Sequence, residues 1–292
     1  MKILIFIGIL GVYCEEMVVT QAYTDYLKAH ASWEVADYEE NIFRGWTLDE
    51  AKKLLGVIVP ENDIPLPIYK SDEEVPESRV WTGNCIHEVR DQCGCGSCWA
   101  FATASMLSDR CCLMTGVDYG WLSPRELVSC DARNDGCKGG WPAWAAYYVV
   151  ENKGLVKEAC FKYGGTEIAC PNECQNGDEW KSAHICNCYG IKQCLGVENI
   201  KKCLQTGPVA VTFEVTKGFF FYKEGIFECK NEPIGLHSVT ATGYSTDPVC
   251  HWIVKNSWGS WWGNQGYFKM ACDSCGMNGK YPNGNVICEN VK

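Results

Sequence analysis

Several features that define other protein classes are scarce or absent in this sequence. After residue 14 there is no run of about twenty apolar residues, so we expect no membrane-spanning helix. Positive charge is in the minority, and the net charge of −10 disfavours nucleic acid as a partner. No Asn-x-Ser/Thr sequon occurs, so N-glycosylation is not expected. Histidine is rare, with five in 292 residues, so few side chains are available as a general base.

Cysteine is abundant but unevenly distributed. The chain has 21 cysteines, none of which lies between Cys14 and Cys85. Such a density argues for an oxidising compartment. The cysteine-free segment carries fourteen acidic and five basic residues over 15–74, which is most of the net charge. We therefore predict a removable propeptide at 15–74 and a disulfide-rich mature domain at 75–292; a solvated acidic extension is the alternative. The proline-rich stretch 60–76 is predicted to be an exposed linker and cleavage region.

The first fourteen residues predict entry into the secretory pathway. Lys2 is followed by an apolar run from Ile3 to Tyr13, which is too short to span a membrane. We interpret 1–14 as a signal peptide. The expected destination is secretion or a lysosome-like vesicle.

The most informative stretch runs from Gln92 to Phe101, where three cysteines and two glycines precede an apolar, helix-like segment. Cys98 would lie at the helix N-terminus, where unpaired backbone N–H groups and the helix dipole favour a thiolate. A lowered thiol pKa would make Cys98 nucleophilic. Cys95-Gly-Ser-Cys98 is also a C-x-x-C sequence, so a redox pair or half of a metal site is the alternative.

Cys95-Gly-Ser-Cys98-Trp99 resembles the active-site segment of papain-like cysteine proteases. The resemblance implies that Cys98 is the nucleophile, that Cys95 forms a disulfide, and that Gln92 donates to the oxyanion. His237 opens a predicted strand and follows Cys98 by 139 residues, inside the papain-like window.

The other histidines have weaker claims to a catalytic role. His30 lies in the predicted propeptide, and His251 begins a predicted strand. His87 and His184 stand in polar loop sequences and are expected at the surface.

Two further segments resemble parts of the papain-family site. Lys255-Asn-Ser-Trp-Gly259 implies that Asn256 orients His237 and that Trp258 shields their contact from water. Cys137-Lys-Gly-Gly140 implies that Gly139 and Gly140 bind the substrate backbone, with Trp141 as an apolar wall for the P2 side chain.

The segment 85–92, together with Ser108-Asp-Arg110, resembles cathepsin B within the family. Cathepsin B carries an occluding loop with paired histidines that confers exopeptidase activity. Here only nine residues separate Cys160 from Cys170, and no histidine lies between His87 and His184. The loop is predicted to be absent, which implies an open primed side and an endopeptidase. Cathepsin B also has an acid near its C-terminus that accepts a P2 arginine. No acid occurs in 275–284 here, so the resemblance implies an apolar P2 side chain instead.

The resemblance also implies four disulfides: Cys85–Cys112, Cys95–Cys137, Cys130–Cys170 and Cys160–Cys174. Ten cysteines have no counterpart in the family pattern: Cys93, Cys111, Cys186, Cys188, Cys194, Cys203, Cys229, Cys250, Cys272 and Cys288. Excluding Cys14 and Cys98 leaves an odd number, so at least one more is free or pairs between molecules. Most are expected in extra disulfides, with a metal site at Cys186-x-Cys188 as the alternative.

The periodicities predict an α+β chain. Helices are expected at 99–114, 123–129 and 142–152, and strands at 208–215, 225–229, 238–244, 252–255 and 266–270. The propeptide is expected to contain helical pieces at 33–38 and 47–55, the second with a Thr47–Glu50 capping box. The papain-like fold that the resemblance implies has a helical N-terminal lobe, a β-barrel-like C-terminal lobe and the active site between them.

The sequence thus predicts a zymogen of a cysteine endopeptidase that needs no cofactor or metal. Its expected partners are peptide and protein substrates and its own propeptide as an intramolecular inhibitor, and the enzyme is expected to be a monomer. Acid is expected to loosen the propeptide by neutralising its carboxylates. Two other classes remain open: a catalytically silent peptide-binding relative, and a thiol oxidoreductase that uses Cys95 and Cys98.

Overall fold

A computed structural model describes residues 15–292, so the predicted signal peptide 1–14 lies outside the described part. The acidic segment 15–74 folds into helix α1 (Gln21–His30), strand β1 (Glu34–Val35) and helix α2 (Leu48–Lys52). The predicted capping box at α2 is confirmed, with reciprocal bonds between Thr47 and Glu50. The predicted helix at 33–38 is wrong, because β1 instead pairs with a strand of the main domain.

The N-terminal lobe is built on α3 (Cys98–Thr115), packed between α4 (Pro124–Cys130) and α5 (Pro142–Glu151). All three predicted helices are confirmed. Helix α3 is buried along nearly its whole length, and it ends at Gly116, whose φ of 71° suits glycine. Its buried residues include the polar Ser108, Asp109 and Arg110, because the helix lies at the centre of the molecule and is covered on all sides.

The C-terminal lobe is a mixed sheet. Its remaining elements are β2 (Ser78–Val80), β3 (Cys188–Gln193), α6 (Val197–Gln205), β4 (Val209–Val215), β5 (Tyr222–Glu224), β6 (Ile226–Phe227), β7 (Gly235–Ser245), β8 (His251–Lys255), β9 (Tyr267–Ala271) and β10 (Val286–Val291). The strand order is β3-β10-β4-β7-β8-β9-β6, with β2 added to β7 and β1 paired separately with β5. The described strands form an open sheet rather than a closed barrel. All five strands predicted in this half are confirmed, whereas β2, β3, α6, β5 and β10 were not anticipated.

Nine disulfides cross-link the region 85–292. The four pairings that the resemblance implied are confirmed. The other five are Cys111–Cys186, Cys188–Cys288, Cys194–Cys203, Cys229–Cys275 and Cys250–Cys272. The Cys186-x-Cys188 metal alternative is therefore wrong. Within 15–292, two cysteines stay unpaired: Cys93, which is exposed, and Cys98, which is buried.

Candidate active site

Cys98 is the first residue of α3 and is fully buried. Burial raises the pKa of its thiol to about 11, against the opposing effect of backbone N–H groups that include those of Ser238, Gly56 and Trp99. The lowered pKa expected at a helix N-terminus is therefore wrong for this state of the protein. The contact with Ser238 brings the thiol to strand β7, one residue from His237.

His237 lies near the start of β7, with its ring fully buried. Its Nε2 is 2.8 Å from Asn256 Oδ1, and the Trp258 ring lies over the pair with its centroid 4.9 Å from the imidazole. Because Asn256 Oδ1 only accepts, Nε2 carries the hydrogen and Nδ1 is the basic nitrogen. Within 15–292, Nδ1 has no hydrogen-bond partner. Burial lowers the pKa of His237 to about 4, although the bond to Asn256 acts in the opposite direction.

Gln92 is held with its amide nitrogen toward the same cleft. Its Oε1 accepts from Ser257 Oγ at 2.7 Å, which fixes the orientation of the amide. Its Nε2 donates to Leu54 O at 3.0 Å and to Cys95 O at 2.9 Å. A carbonyl of the N-terminal segment therefore takes one of the two hydrogen bonds that this amide nitrogen donates.

Gly140 pairs with the same segment, and Gly139 lies against it, since a Cβ there would be 2.8 Å from the Ile58 side chain. Gly140 N donates to Gly56 O at 2.9 Å, and Ile58 N donates to Gly140 O at 3.0 Å. A Cβ on Gly140 would lie 2.5 Å from Asn134 Oδ1, so only glycine fits this edge.

Trp141 and Trp258 each contact the N-terminal segment. The Trp141 indole N–H donates to Asp63 Oδ2 at 2.9 Å. Trp258 contacts Phe43 edge-to-face at 5.3 Å between ring centroids. A cavity of about 270 Å³ beside Trp258 is lined by Phe43 and Trp46 on one side and by Cys93 and Trp261 on the other.

The structure thus places residues 42–63 along the whole cleft. A Cβ on Gly56 would lie 1.9 Å from Gly96 O, so the segment passes against the backbone beside the nucleophile. All eight predicted site residues, Gln92, Cys98, Gly139, Gly140, Trp141, His237, Asn256 and Trp258, line or support the covered cleft.

Two residues around the site were not predicted from the sequence, and two histidines were predicted at the wrong depth. Ser257 orients Gln92, and the Tyr163 hydroxyl donates to Gln92 O at 2.8 Å. The predicted surface positions of His87 and His184 are wrong, since their side chains are only 9% and 7% exposed. Each is held by a carboxylate distant in sequence, Asp109 and Glu126, which local sequence does not reveal.

A two-lobed fold with a buried thiol, a His–Asn pair and a side-chain amide donor in one cleft defines a thiol hydrolase. The cysteine pairings exclude the oxidoreductase, because Cys95 is bonded to Cys137 and leaves Cys98 alone. The profile of the papain family cysteine proteases matches residues 75–282, and the chain belongs to this family.

The relatives are cathepsins and related thiol proteases. Cathepsin B-like CP2 of Giardia intestinalis is 35% identical over 246 residues, which span 78% of this chain and 81% of that protein. Pro-cathepsin H of Mus musculus is 34% identical over 213 residues, 69% of this chain and 62% of that protein. The structure of proCathepsin B S9 from Trypanosoma congolense superposes with a TM-score of 0.82 at 26% identity, covering 94% of this chain and 99% of that chain.

The protein is therefore a papain-family cysteine protease with cathepsin B-like relatives, and its likeness to proenzyme structures extends over the N-terminal segment. Among the helices of residues 15–292, none is long and apolar enough to cross a bilayer.

Proposed function

We propose that this chain is the zymogen of a cathepsin B-like cysteine endopeptidase. The observation that carries the proposal is the convergence of Cys98, the His237–Asn256 pair and the Gln92 amide at one point of a cleft filled by the chain's own N-terminal segment. Peptide backbone already occupies this cleft and hydrogen-bonds to Gly140, so a peptide is the fitting substrate.

The proposed mechanism uses these groups in two steps. With the cleft open, His237 takes the Cys98 proton and the thiolate attacks the scissile carbonyl carbon. The Gln92 amide and the Cys98 backbone N–H stabilise the oxyanion, and the tetrahedral intermediate collapses as His237 protonates the leaving amine. Water, deprotonated by His237, then attacks the thioester and releases the acid and the thiol. Asn256 holds the ring in the productive tautomer, and Trp258 covers their bond.

Residues 15–74 are proposed as the inhibitory propeptide and 75–292 as the mature domain. Leu54 O accepts a hydrogen bond from the Gln92 amide, and Gly56 and Ile58 hydrogen-bond to the backbone of Gly140. Removal by cleavage within 60–76 would empty both positions. The nine disulfides and the predicted signal at 1–14 support passage through the secretory pathway to the exterior or to a lysosome-like vesicle.

Endopeptidase activity is proposed because the segment between Cys160 and Cys174 is short, cross-linked and free of histidine. Its Tyr163 side chain turns inward to Gln92 O and Ser97 Oγ rather than across the cleft. We therefore expect the mature enzyme to cut within a peptide blocked at both ends. Release of dipeptides from free carboxyl termini as the main activity would contradict this assignment.

The test of the proposed function is cleavage of a blocked, internally quenched peptide by processed enzyme. Cys98→Ser is expected to abolish cleavage and to prevent modification by an irreversible thiol-protease label, whereas Cys93→Ser keeps both. Cleavage retained in Cys98→Ser would overturn the assignment of the nucleophile.

A further inference from the structure

A buried charged cluster lies behind the catalytic groups and belongs to none of the roles described above. Asp109 is fully buried, and its Oδ2 accepts from Lys255 Nζ at 2.7 Å. Its Oδ1 accepts from the backbone N–H of His87 at 3.1 Å and lies 2.8 Å from His87 Nδ1. Lys255 Nζ also donates to His87 O at 3.0 Å, and His87 Nε2 lies 2.9 Å from Asp118 Oδ1.

The cluster joins the three segments on which the proposed catalytic residues stand. Asp109 lies on α3, about three turns after Cys98. Lys255 is the last residue of β8 and directly precedes Asn256. His87 belongs to the segment that leads to Gln92. One carboxylate therefore ties the helix of the nucleophile, the strand of the His237 partner and the loop of the oxyanion donor.

Burial of this ion pair is unexpected if the cluster served stability alone. Removing an ammonium and a carboxylate from water opposes folding, and apolar replacements of similar volume often stabilise a protein as well or better. The cluster does, however, fix the position of Lys255, because Asp109 and His87 O hold its ammonium group from two directions. Its neighbour Asn256 must present Oδ1 to His237 at one distance and angle, and a displacement of about 1 Å in such a position is costly to catalysis.

We propose that Lys255, held by Asp109 and His87, is a positioning residue that fixes Asn256 against His237. The inference rests on the function proposed above for Asn256 and His237. The Lys255 ammonium bonds to His87 O and to Asp109 rather than to Asn256 or His237, so it acts through the backbone of its neighbour. Its loss should therefore lower the rate of the chemical step and leave substrate binding largely unchanged.

His87 makes the cluster sensitive to pH. The titratable groups that face it from the packed elements are Asp109, Asp118, Lys255 and, beyond Asp109, Tyr267. Its bond to Asp109 raises its pKa, with burial opposing and Asp118 assisting. A protonated ring donates to both carboxylates, whereas a neutral ring donates to one and turns a lone pair toward the other. The complete cluster is thus the form present below the raised pKa of His87.

The test compares Lys255→Met with Lys255→Arg in processed enzyme, with active sites counted by an irreversible label at Cys98. Lys255→Met is expected to lower kcat per labelled site about 10–100-fold, with KM within about twofold, and Lys255→Arg to recover part of the loss. Lys192→Met is the matched control, because its 3.7 Å ion pair with Glu289 lies on the outer strands. A kcat per labelled site within twofold of the parent in Lys255→Met would overturn the proposal.

Two further variants distinguish a positioning role of Lys255 from an effect on folding, and a third result would concern the proposed function alone. If Lys255→Met yields no folded protein, Asp109→Asn, which keeps the side-chain shape, is expected to show the same selective loss of kcat. His87→Gln is expected to show a deficit near pH 5.5 that shrinks as the pH rises through the raised pKa of His87; an equal deficit at both ends would contradict its role. Cleavage that survives Cys98→Ser would refute the proposed function instead.

Discussion

Each of the two reacting side chains, Cys98 and His237, is neutral in the covered cleft. Burial raises the pKa of Cys98 to about 11 and lowers that of His237 to about 4. Between these two pKa values the Cys98 thiol is protonated and the His237 imidazole is unprotonated, so neither side chain is charged. The N-terminal segment therefore suppresses catalysis in two ways, by filling the cleft and by removing the water that would support a thiolate–imidazolium pair.

Removal of residues 15–74 should raise the reactivity of Cys98 at neutral pH. With the cleft open, water and the neighbouring charges bring the thiol pKa down, so we expect alkylation by iodoacetamide at pH 7 to accelerate by roughly 100-fold or more. A small free thiol added to both samples serves as the standard, because Cys93 lines a cavity that Phe43 and Trp46 of the segment help to form. Mass spectrometry of each cysteine before and after processing makes the measurement. Equal Cys98 rates in both forms would show that the segment does not control the protonation of the thiol.

The candidate site residues could be predicted from the sequence, whereas the pKa values of their side chains could not. Cys98, His237 and Asn256 stand in short segments with a family pattern and spacing, so local sequence was enough to nominate them. The pKa of Cys98 runs opposite to the expectation because burial by the folded chain outweighs the nearby backbone N–H groups, and local sequence does not reveal that burial. His87 and His184 were placed wrongly for the same reason, since burial of a polar residue depends on a partner from another element.

Among the helices and strands, those with a regular hydrophobic period could be predicted from the sequence, whereas short elements without such a period could not. Helix α3 and strands β4 and β7 are long enough to show their period. Helix α1 was missed because its apolar residues are few, and it is fixed by the Thr20 cap and by packing of Leu27. The Trp33 segment was called helical, yet its ring packs 5.1 Å from that of Phe227 and the chain beside it pairs with β5. Tertiary contacts override local preference in such short pieces.

Glu126 joins three elements of the N-terminal lobe and should be essential to its stability. It is fully buried and accepts from Tyr148 Oη at 3.0 Å and Val156 N at 2.7 Å, and lies 2.7 Å from His184 Nε2. Glu126→Ala leaves these donors unpaired, so we expect the free energy of unfolding to fall by about 3–5 kcal/mol. The control is Glu151→Ala, an exposed partner of Arg133, with an expected change of about 0–1 kcal/mol.

The bond between His184 and Glu126 should also make the free energy of unfolding in denaturant depend on pH. Burial acts to lower the pKa of His184, but its bond to Glu126 and the carboxylate charge outweigh this and raise it above 6.5. Stabilisation by the protonated ring is therefore complete below about pH 6.5 and is lost as the pH rises through the raised pKa. His184→Asn should lose more stability relative to the parent at pH 5.5 than at pH 9. A difference that is independent of pH would show that His184 contributes only by packing.

At the scale of the whole molecule, ion pairs attach the N-terminal segment to the main domain. Glu16 pairs with Lys217 at 2.6 Å and Glu34 with Lys223 at 2.8 Å, each across the boundary between segment and main domain. The bond to Lys217 lowers the pKa of Glu16 below 4.5, so this attachment is complete above that pH and is lost as the pH falls through the lowered value.

We therefore expect zymogen processing to be several-fold faster near pH 4 than at pH 7.5. The variant Glu16→Gln with Glu34→Gln should process faster at pH 7.5 and depend less on pH, because its contacts are already neutral. Glu39→Gln is the matched control, since Glu39 pairs with Arg44 inside the segment itself. Electrophoresis of samples taken over time at both pH values gives the rates. Equal rates for the parent at the two values would refute release by acid.

The cross-links of this molecule are confined to one of its two parts. Residues 15–74 contain no cysteine, whereas nine disulfides cross-link the region from Cys85 onward. A single backbone cut in the linker therefore frees the inhibitor without any reduction, while the remaining chain stays covalently closed. The processed enzyme would then lack the contacts of the N-terminal segment but keep its disulfides, which limit unfolding. After activation, we expect the full set of native cross-links, rather than refolding, to sustain the enzyme's working lifetime.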